Sequence, residues 1–167
     1  PIKSSAASDV YKRQQEVCAA VEQYGSTVYR LALAQTHSQA DADDVYQEVF
    51  LRYVRAAPAF ATEEHRKAWL LRVTINCCKK LQGSFWRKHT VALSEAIPAR
   101  TEGEGELLEL LEALPEKYRA VVHLCYYEGY STEEIAALLG RKPATVRSQL
   151  ARGRALLRDV WKGAEDV

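Results

Sequence analysis

The chain has 167 residues, of which 47% are hydrophobic and 27% are charged. This is enough for one sizeable core or for two small helical domains of about 70 residues each. The formal net charge is only +1. That value excludes a uniformly basic nucleic-acid-binding protein, so any charged binding surface must come from how the charges are distributed.

Residues 1–14 do not fit the pattern of the rest of the chain. They carry no sustained apolar period, and the whole sequence contains no methionine. We therefore expect the chain to be a fragment and residues 1–14 to be non-native or disordered.

Residues 15–82 predict a first domain of three helices. In each helix apolar residues recur at steps of three and four, which places them on one stripe. The first helix covers residues 15–36, the second follows a break at residues 37–40 and ends at Pro58, and the third covers residues 64–81. The predicted buried side chains are, helix by helix, Val17, Val21, Tyr24, Val28 and Leu31; Val45, Val49, Phe50, Tyr53 and Val54; and Trp69, Leu70, Val73, Cys77 and Leu81.

Residues 83–105 are predicted to form a flexible acidic linker. Between residues 95 and 112 six glutamates stand against the single Arg100, and Pro98, Gly103 and Gly105 interrupt regular structure. A linker of this length is unusual inside one compact domain, so it indicates two domains.

Residues 106–163 predict a second helical domain that contains a helix-turn-helix. A leucine-rich helix stops at Pro115, and the next helix stops at Gly129. Ser131 starts a capping box for a short helix over residues 132–139, because a glutamate follows three residues later. Gly140 ends that helix, and a last helix is predicted over residues 144–161.

The last helix is predicted to bind DNA. Its inner stripe consists of Val146, Leu150, Gly153 and Leu157. Between residues 135 and 158 all charged residues are basic, namely Arg141, Lys142, Arg147, Arg152, Arg154 and Arg158. Such a face suits phosphate contacts and bidentate hydrogen bonds from arginine to guanine, although a solvated amphipathic helix is the alternative.

A second basic segment lies in the first domain. Residues 66–93 contain lysines and arginines but no acidic residue, and Trp69, Phe85 and Trp86 are interleaved with them. Aromatic side chains among cations suit single-stranded or opened DNA, on whose bases they can stack. Trp69 could equally be a core residue.

The cysteines predict a reduced protein. Cys18, Cys77, Cys78 and Cys125 include no C-x-x-C pair, and adjacent cysteines point to different faces of a helix. We expect ordinary core thiols at Cys77, Cys78 and Cys125, without redox or zinc chemistry. No run of about 18 apolar residues and no signal-peptide pattern occurs, so we predict a cytoplasmic protein without membrane insertion.

Three segments resemble the extracytoplasmic-function sigma factors of bacterial RNA polymerase. DADDVYQEVFLRYVRAAPAF and RKAWLLRVTINCCKK are similar to their region 2, and LPEKYRAVVHLCYYEGYSTEEIAALLGRKPATVRSQLARGRALLR is similar to their region 4. The two regions in this order, with a short linker and no region 3, are specific to that family. The resemblance implies an all-α, non-enzymatic subunit of two small domains, without a cofactor. It would direct polymerase to promoters through the minus-ten element (region 2, residues 15–82) and the minus-thirty-five element (region 4, residues 106–163).

The resemblance also implies site residues. Contact with the beta-prime clamp helices of core polymerase is expected from Asp44, Gln47, Glu48, Leu51, Arg52 and Arg55. The minus-ten element is expected to contact Phe60, Arg66, Lys67, Trp69, Arg72, Asn76, Lys79 and Lys80, with Asn76 helping to hold a flipped base. The minus-thirty-five element is expected to contact Lys142, Thr145, Arg147, Ser148 and Arg152. The implied partners are core RNA polymerase, including its beta flap, promoter DNA and an anti-sigma factor.

Two other functions are open from sequence alone. A conventional regulator with a helix-turn-helix would bind a palindrome tightly, as a dimer and without polymerase. An enzyme would use Asp41, Asp44 and Glu48 as a metal site, but no histidine adjoins them and all three fall on one helix. The same carboxylates could also form a plain solvated face.

Overall fold

The computed structural model describes residues 2–83 and 104–165. Over these ranges the secondary structure is helical, which confirms the all-α class. The elements are α1 (Ile2–Thr36), α2 (Gln39–Ala56), α3 (Glu63–Gln82), α4 (Glu104–Glu112), α5 (Glu116–Val122), a π-helical turn (His123–Tyr127), α6 (Thr132–Leu139) and α7 (Pro143–Glu165). Of the predicted linker, residues 84–103 lie outside the described residues. None of the described helices combines the length and the apolar character needed to cross a membrane.

Helices α1, α2 and α3 pack around the core of the first domain. Most of the apolar stripe predicted for α1 and α2 is buried there, including Tyr24, Val28, Val45 and Val49. Val54 was predicted to point inward and is 44% exposed instead. The buried stripe of α2 ends at Tyr53, and the next residue is turned by about 100° away from it.

Helix α1 is longer than predicted. Residues 1–14 were expected to be non-native or disordered, yet α1 begins at Ile2. Residues 3–14 contain neither glycine nor proline, so nothing in their backbone chemistry interrupts a helix. The side chains of residues 5–14 are all exposed, and this part of α1 therefore adds nothing to the core.

Helix α3 is buried on two faces, whereas the sequence predicted one. Leu70 and Cys77 are buried on the predicted face, and Trp69, Val73 and Leu81 are partly buried against it. Leu71 and Ile75 are also buried, on the other side of the helix, where the second domain covers them.

The helix-turn-helix of the second domain is confirmed in detail. The Ser131 side chain accepts a hydrogen bond from the Glu134 backbone N–H at 3.2 Å, and the Glu134 carboxylate accepts one from the Ser131 N–H at 2.8 Å. Gly140 ends α6 in the left-handed conformation, with φ of 64°. The helix predicted to run to Gly129 is divided, because α5 passes into the π-helical turn at His123.

The two domains share a hydrophobic cluster. From the first domain it includes Leu31, Leu71 and Ile75, which are at most 2% exposed. From the second domain it includes Ala120, Val121, Leu124, Ile135, Ala136, Leu138, Val146 and Leu150. The domains are thus packed against each other.

Candidate functional site

The expected polymerase-binding residues lie along the outer side of α2. Asp44, Gln47, Leu51 and Arg55 are exposed, and Glu48 and Arg52 are half-buried. We call these six residues the α2 face. Leu51, at 47% exposure, adds an apolar group to a surface that is otherwise polar. A face of this composition can orient a partner through charge and still bury apolar area.

Glu48 and Arg52 form an ion pair one helical turn apart. The Arg52 Nε donates to Glu48 Oε1 at 2.7 Å. This hydrogen bond holds the pKa of Glu48 below its usual value, so the carboxylate stays charged over a wide pH range. A partly exposed pair of this kind contributes little to stability.

A cleft beside the α2 face is shared with α3. Asp44, Glu48 and Arg52 line it from α2, and Lys80 lines it from α3. Lys80 was predicted to contact the minus-ten element, but the structure places it with the polymerase-binding candidates.

An aromatic cluster holds the loop after α2 against α3. The Phe60 and Trp69 ring centroids are 6.0 Å apart, and both rings contact Tyr53. The Arg66 guanidinium lies over the Phe60 ring at 5.5 Å from its centroid. Phe60, Trp69 and Arg66 are half-buried. Trp69 packs against the core and keeps part of its surface accessible, so its contact with DNA stays a prediction.

Three of the expected minus-ten residues form one exposed stripe on α3. Arg72, Asn76 and Lys79 follow at steps of four and three, and all three are exposed. An amide flanked by two cations can meet both a base edge and the neighbouring phosphates.

Two of the expected minus-ten residues are engaged by the second domain. The Lys67 Nζ lies 2.9 Å from Glu128 Oε2, at the end of the π-helical turn. The Arg72 Nε donates to the Leu138 carbonyl at 3.0 Å, and its Nη2 donates to the Ala137 carbonyl at 3.2 Å.

The expected minus-thirty-five residues lie on the exposed side of α7 or directly before its first residue. Lys142, Thr145, Arg147, Ser148 and Arg152 are all exposed. At about 100° per residue, Arg147 and Arg152 are about 140° apart around the helix, so they cannot both point at the same base. The Arg147 guanidinium lies 3.8 Å from the Glu133 carboxylate of α6, while Thr145, Ser148 and Arg152 occupy the other flank.

A close helix contact sets the position of α7. Val146 and Leu150 are buried, and α7 packs closely against α5 at Gly153. A Cβ atom at Gly153 would lie 2.7 Å from Cγ2 of Val122. The basic outer side of α7 is exposed because its inner side is fixed in this way.

The two adjacent cysteines of α3, Cys77 and Cys78, are poor nucleophiles and metal ligands. Burial raises the pKa of Cys77, and it raises the pKa of Cys78 to about 12. Cys125 is partly buried and Cys18 is exposed. Within residues 2–83 and 104–165 no three His, Cys, Asp or Glu residues are grouped so that they could hold a metal ion.

Sequence reasoning missed Arg119, which joins the two domains. Its buried guanidinium donates to the carbonyls of Leu111 and Leu114 at 3.0 and 2.8 Å, and to the Gln35 carbonyl near the end of α1 at 3.1 Å. Burial lowers the pKa of Arg119, and carbonyls at helix C-termini favour a cation there. The only signal in the sequence was a charged residue within an apolar run, which does not reveal backbone partners.

Comparison with known proteins finds a family model that matches each of the two domains. Residues 20–90 match the model of Sigma-70 region 2, and residues 104–157 match the model of Sigma-70, region 4. The chain is 37% identical over 152 residues to the ECF RNA polymerase sigma factor SigE of Mycolicibacterium smegmatis, covering 83% of this chain and 59% of that protein. It is 31% identical over 135 residues to the ECF RNA polymerase sigma factor SigM of Mycobacterium tuberculosis, covering 78% of this chain and 69% of that protein.

The fold is also found in a solved structure. The sigma factor RpoE of Bartonella quintana matches with a TM-score of 0.67 at 19% identity, over 89% of this chain and 96% of that chain. Both domains, in the same order along the chain, are matched by family models and by curated relatives. The chain therefore belongs to the family of ECF RNA polymerase sigma factors.

Proposed function

We propose that this protein is a non-enzymatic subunit of bacterial RNA polymerase that acts in the cytoplasm and directs the polymerase to promoters. The α2 face binds the clamp helices of core polymerase, the α3 stripe reads the opened minus-ten element, and α7 reads the minus-thirty-five element. One observation carries the proposal: the chain presents an α2 face with charges of both signs and one exposed leucine, together with two separate basic helices, in the order of regions 2 and 4.

Two weak contacts used together explain how such a chain acts. Each domain meets one promoter element, and attachment of both domains to polymerase raises the effective concentration of the second contact. The arrangement of α7 supports recognition of duplex DNA, since its basic flanks are exposed and its inner stripe is buried. The stripe of Arg72, Asn76 and Lys79 supports contact with unpaired bases.

The alternatives fit the structure less well. A metal-dependent enzyme would need a set of converging ligands, but Glu48 is engaged by Arg52 on the same helix. The function of a conventional regulator does not explain the α2 face or the second basic helix in the other domain. The Bartonella quintana relative was crystallised with the anti-sigma factor NepR, and we propose a regulator of that class for this chain as well.

The test is binding to core RNA polymerase. The double variant Asp44→Ala/Glu48→Ala should weaken core binding and reduce transcription from a promoter. Helicity and melting temperature should stay nearly unchanged, because Asp44 is exposed and the Glu48–Arg52 pair is partly exposed. The matched control is Glu106→Ala/Glu109→Ala, which removes the same charge from exposed positions of α4. Equal core affinity for the two double variants would contradict the assignment of the α2 face.

A further inference from the structure

One buried hydroxyl of the first domain is tied to the helix that is proposed to meet the minus-ten element. Tyr24 of α1 is 7% exposed, and its ring belongs to the core that α1 forms with α2 and α3. Its hydroxyl donates to Glu63 Oε2 at 2.8 Å, and the Glu63 carbonyl oxygen lies 3.3 Å from the same hydroxyl. Glu63 is the first residue of α3. The hydrogen bond therefore joins α1 to the start of α3, across 39 residues of the chain.

This hydrogen bond holds the Glu63 carboxylate in one place. Burial, and then the hydrogen bond to Glu63, raise the pKa of Tyr24 to about 12, so the hydroxyl keeps its proton near neutral pH and is the donor. A hydrogen bond to a charged acceptor is stronger than one between two neutral groups. The Glu63 side chain is 54% exposed, and an exposed glutamate otherwise samples several rotamers. Because the Tyr24 ring is fixed in the core, its hydroxyl fixes the carboxylate as well.

Glu63 in turn holds Arg66, which lies three residues further along α3. Glu63 Oε1 is 3.5 Å from Arg66 Nη2, so the two oxygens of one carboxylate meet Tyr24 and Arg66. The Arg66 guanidinium also lies over the Phe60 ring, 5.5 Å from its centroid. A guanidinium carries five N–H donors, so an ion pair through Nη2 leaves other donors for a phosphate or a base edge.

We propose that Tyr24 is a positioning residue for the minus-ten contact, because it fixes the carboxylate of Glu63, which holds the Arg66 guanidinium in place for the DNA strand. The inference rests on the proposed function, since it takes Arg66 to be a DNA contact. Tyr24 is buried and acts only through these two residues. A cation that is already held in its binding geometry loses less side-chain freedom when DNA binds, which raises affinity without an added contact.

The first test removes the hydroxyl and keeps the ring. In complex with core RNA polymerase, Tyr24→Phe should bind a single-stranded minus-ten oligonucleotide about two- to tenfold more weakly, which is the effect of one lost hydrogen bond. Glu63→Gln removes the charge that holds Arg66, and should weaken DNA binding by a similar factor. Affinity for core polymerase should stay unchanged in both variants, because neither residue belongs to the α2 face.

The decisive measurement is a double-mutant cycle with Arg66→Ala. If Tyr24 acts through Arg66, Tyr24→Phe weakens DNA binding while Arg66 is present and has no further effect once Arg66 is alanine. A general disturbance of the first domain would instead add its full cost to that of Arg66→Ala.

Two matched controls lie in the same helices. Burial, and then the neighbouring Asp43 carboxylate of α2, raise the pKa of Tyr29, so Tyr29→Phe removes a hydroxyl of α1 that lies beside a carboxylate other than Glu63. Glu64→Gln removes a charge from the same first turn of α3, and measures the general effect of a lost negative charge near DNA. Neither control should weaken DNA binding. Circular dichroism and thermal melting establish that each variant is folded.

The hold on Arg66 can also be measured in the free chain, without polymerase or DNA. NMR relaxation of the Arg66 Nε–Hε group should show restricted motion in the wild type and in Tyr29→Phe, and greater motion in Tyr24→Phe. Unchanged Arg66 motion in Tyr24→Phe would overturn the proposal. So would wild-type DNA affinity of Tyr24→Phe, or equal losses with and without Arg66. Failure of the wild-type chain to direct transcription with core polymerase would instead overturn the proposed function, while the NMR comparison would still decide whether Tyr24 holds Arg66.

Discussion

At the scale of single residues, Arg147 gives the most direct test of promoter reading. It lies one turn into α7, where recognition helices meet base edges, and Glu133 lies beside its guanidinium. If Arg147 makes a bidentate contact to guanine, Arg147→Ala should lose about 1–3 kcal/mol of binding on the preferred minus-thirty-five element and become less selective. Transcription from a library of minus-thirty-five variants, at two salt concentrations, measures both effects.

Arg158 is the control for this prediction, because it is exposed near the far end of α7. A phosphate contact would weaken binding to all sequences alike and reduce the salt slope by about one unit, whereas Arg158→Ala should change neither selectivity nor salt slope. An unchanged sequence preference for both Arg147→Ala and Arg152→Ala would refute this account of α7.

The sequence predicts exposed residues better than it predicts their neighbours. Arg147, Ser148 and Arg152 are exposed on α7 as the helical spacing requires. The spacing could not show that Lys80 lies in the cleft beside Asp44, because that position depends on how α2 packs against α3. Nor could it show that Arg72 is bonded to carbonyls of α6, since backbone acceptors exist at every residue.

At the scale of helices and their contacts, Gly153 determines how closely α7 approaches α5. A Cβ at this position would lie 2.7 Å from Val122 Cγ2, within the buried contact. Gly153→Ala should therefore lower the free energy of unfolding by about 1–2 kcal/mol, because the cost of overpacking exceeds the gain in helix propensity. Chemical denaturation measures this change.

Gly163 on the same helix provides the matched control. A Cβ there would meet nothing within 4 Å, so Gly163→Ala should leave stability unchanged or raise it by up to about 1 kcal/mol. If Gly153→Ala is as stable as Gly163→Ala, the close approach of α5 and α7 is not as described.

Local signals account for most of the element boundaries. The capping box at Ser131 and the left-handed Gly140 follow from chemistry within a few residues, and both are confirmed. The π-helical turn at His123–Tyr127 has no such local signal. The second buried face of α3 was missed for a similar reason, since Leu71 and Ile75 fit the helix pattern but the partner that covers them lies far along the chain.

At the scale of the whole molecule, the sequence predicted two domains but not their contact. A long acidic segment between two helical patterns indicates separate units, and two family models match the chain, over residues 20–90 and 104–157. The contact depends on groups that are distant in sequence, such as Arg119 and the Gln35 carbonyl or Lys67 and Glu128. Neither pair can be inferred from spacing, because each member could equally pair with another residue of its own domain.

Two adjacent leucines of α3 test whether the domains behave as one unit. Leu70 is 1% exposed in the core of the first domain, whereas Leu71 is 0% exposed in the cluster shared with the second domain. Each Leu→Ala change should cost about 2–5 kcal/mol, since each leaves a cavity. Leu71→Ala should also speed amide hydrogen exchange in α6, in the other domain, under conditions where the chain does not unfold globally. Leu70→Ala should speed exchange within α1 and α2 and leave α6 protected. The same exchange pattern in both variants would mean that the shared cluster does not couple the domains, and that region 4 keeps its stability without contact to α3.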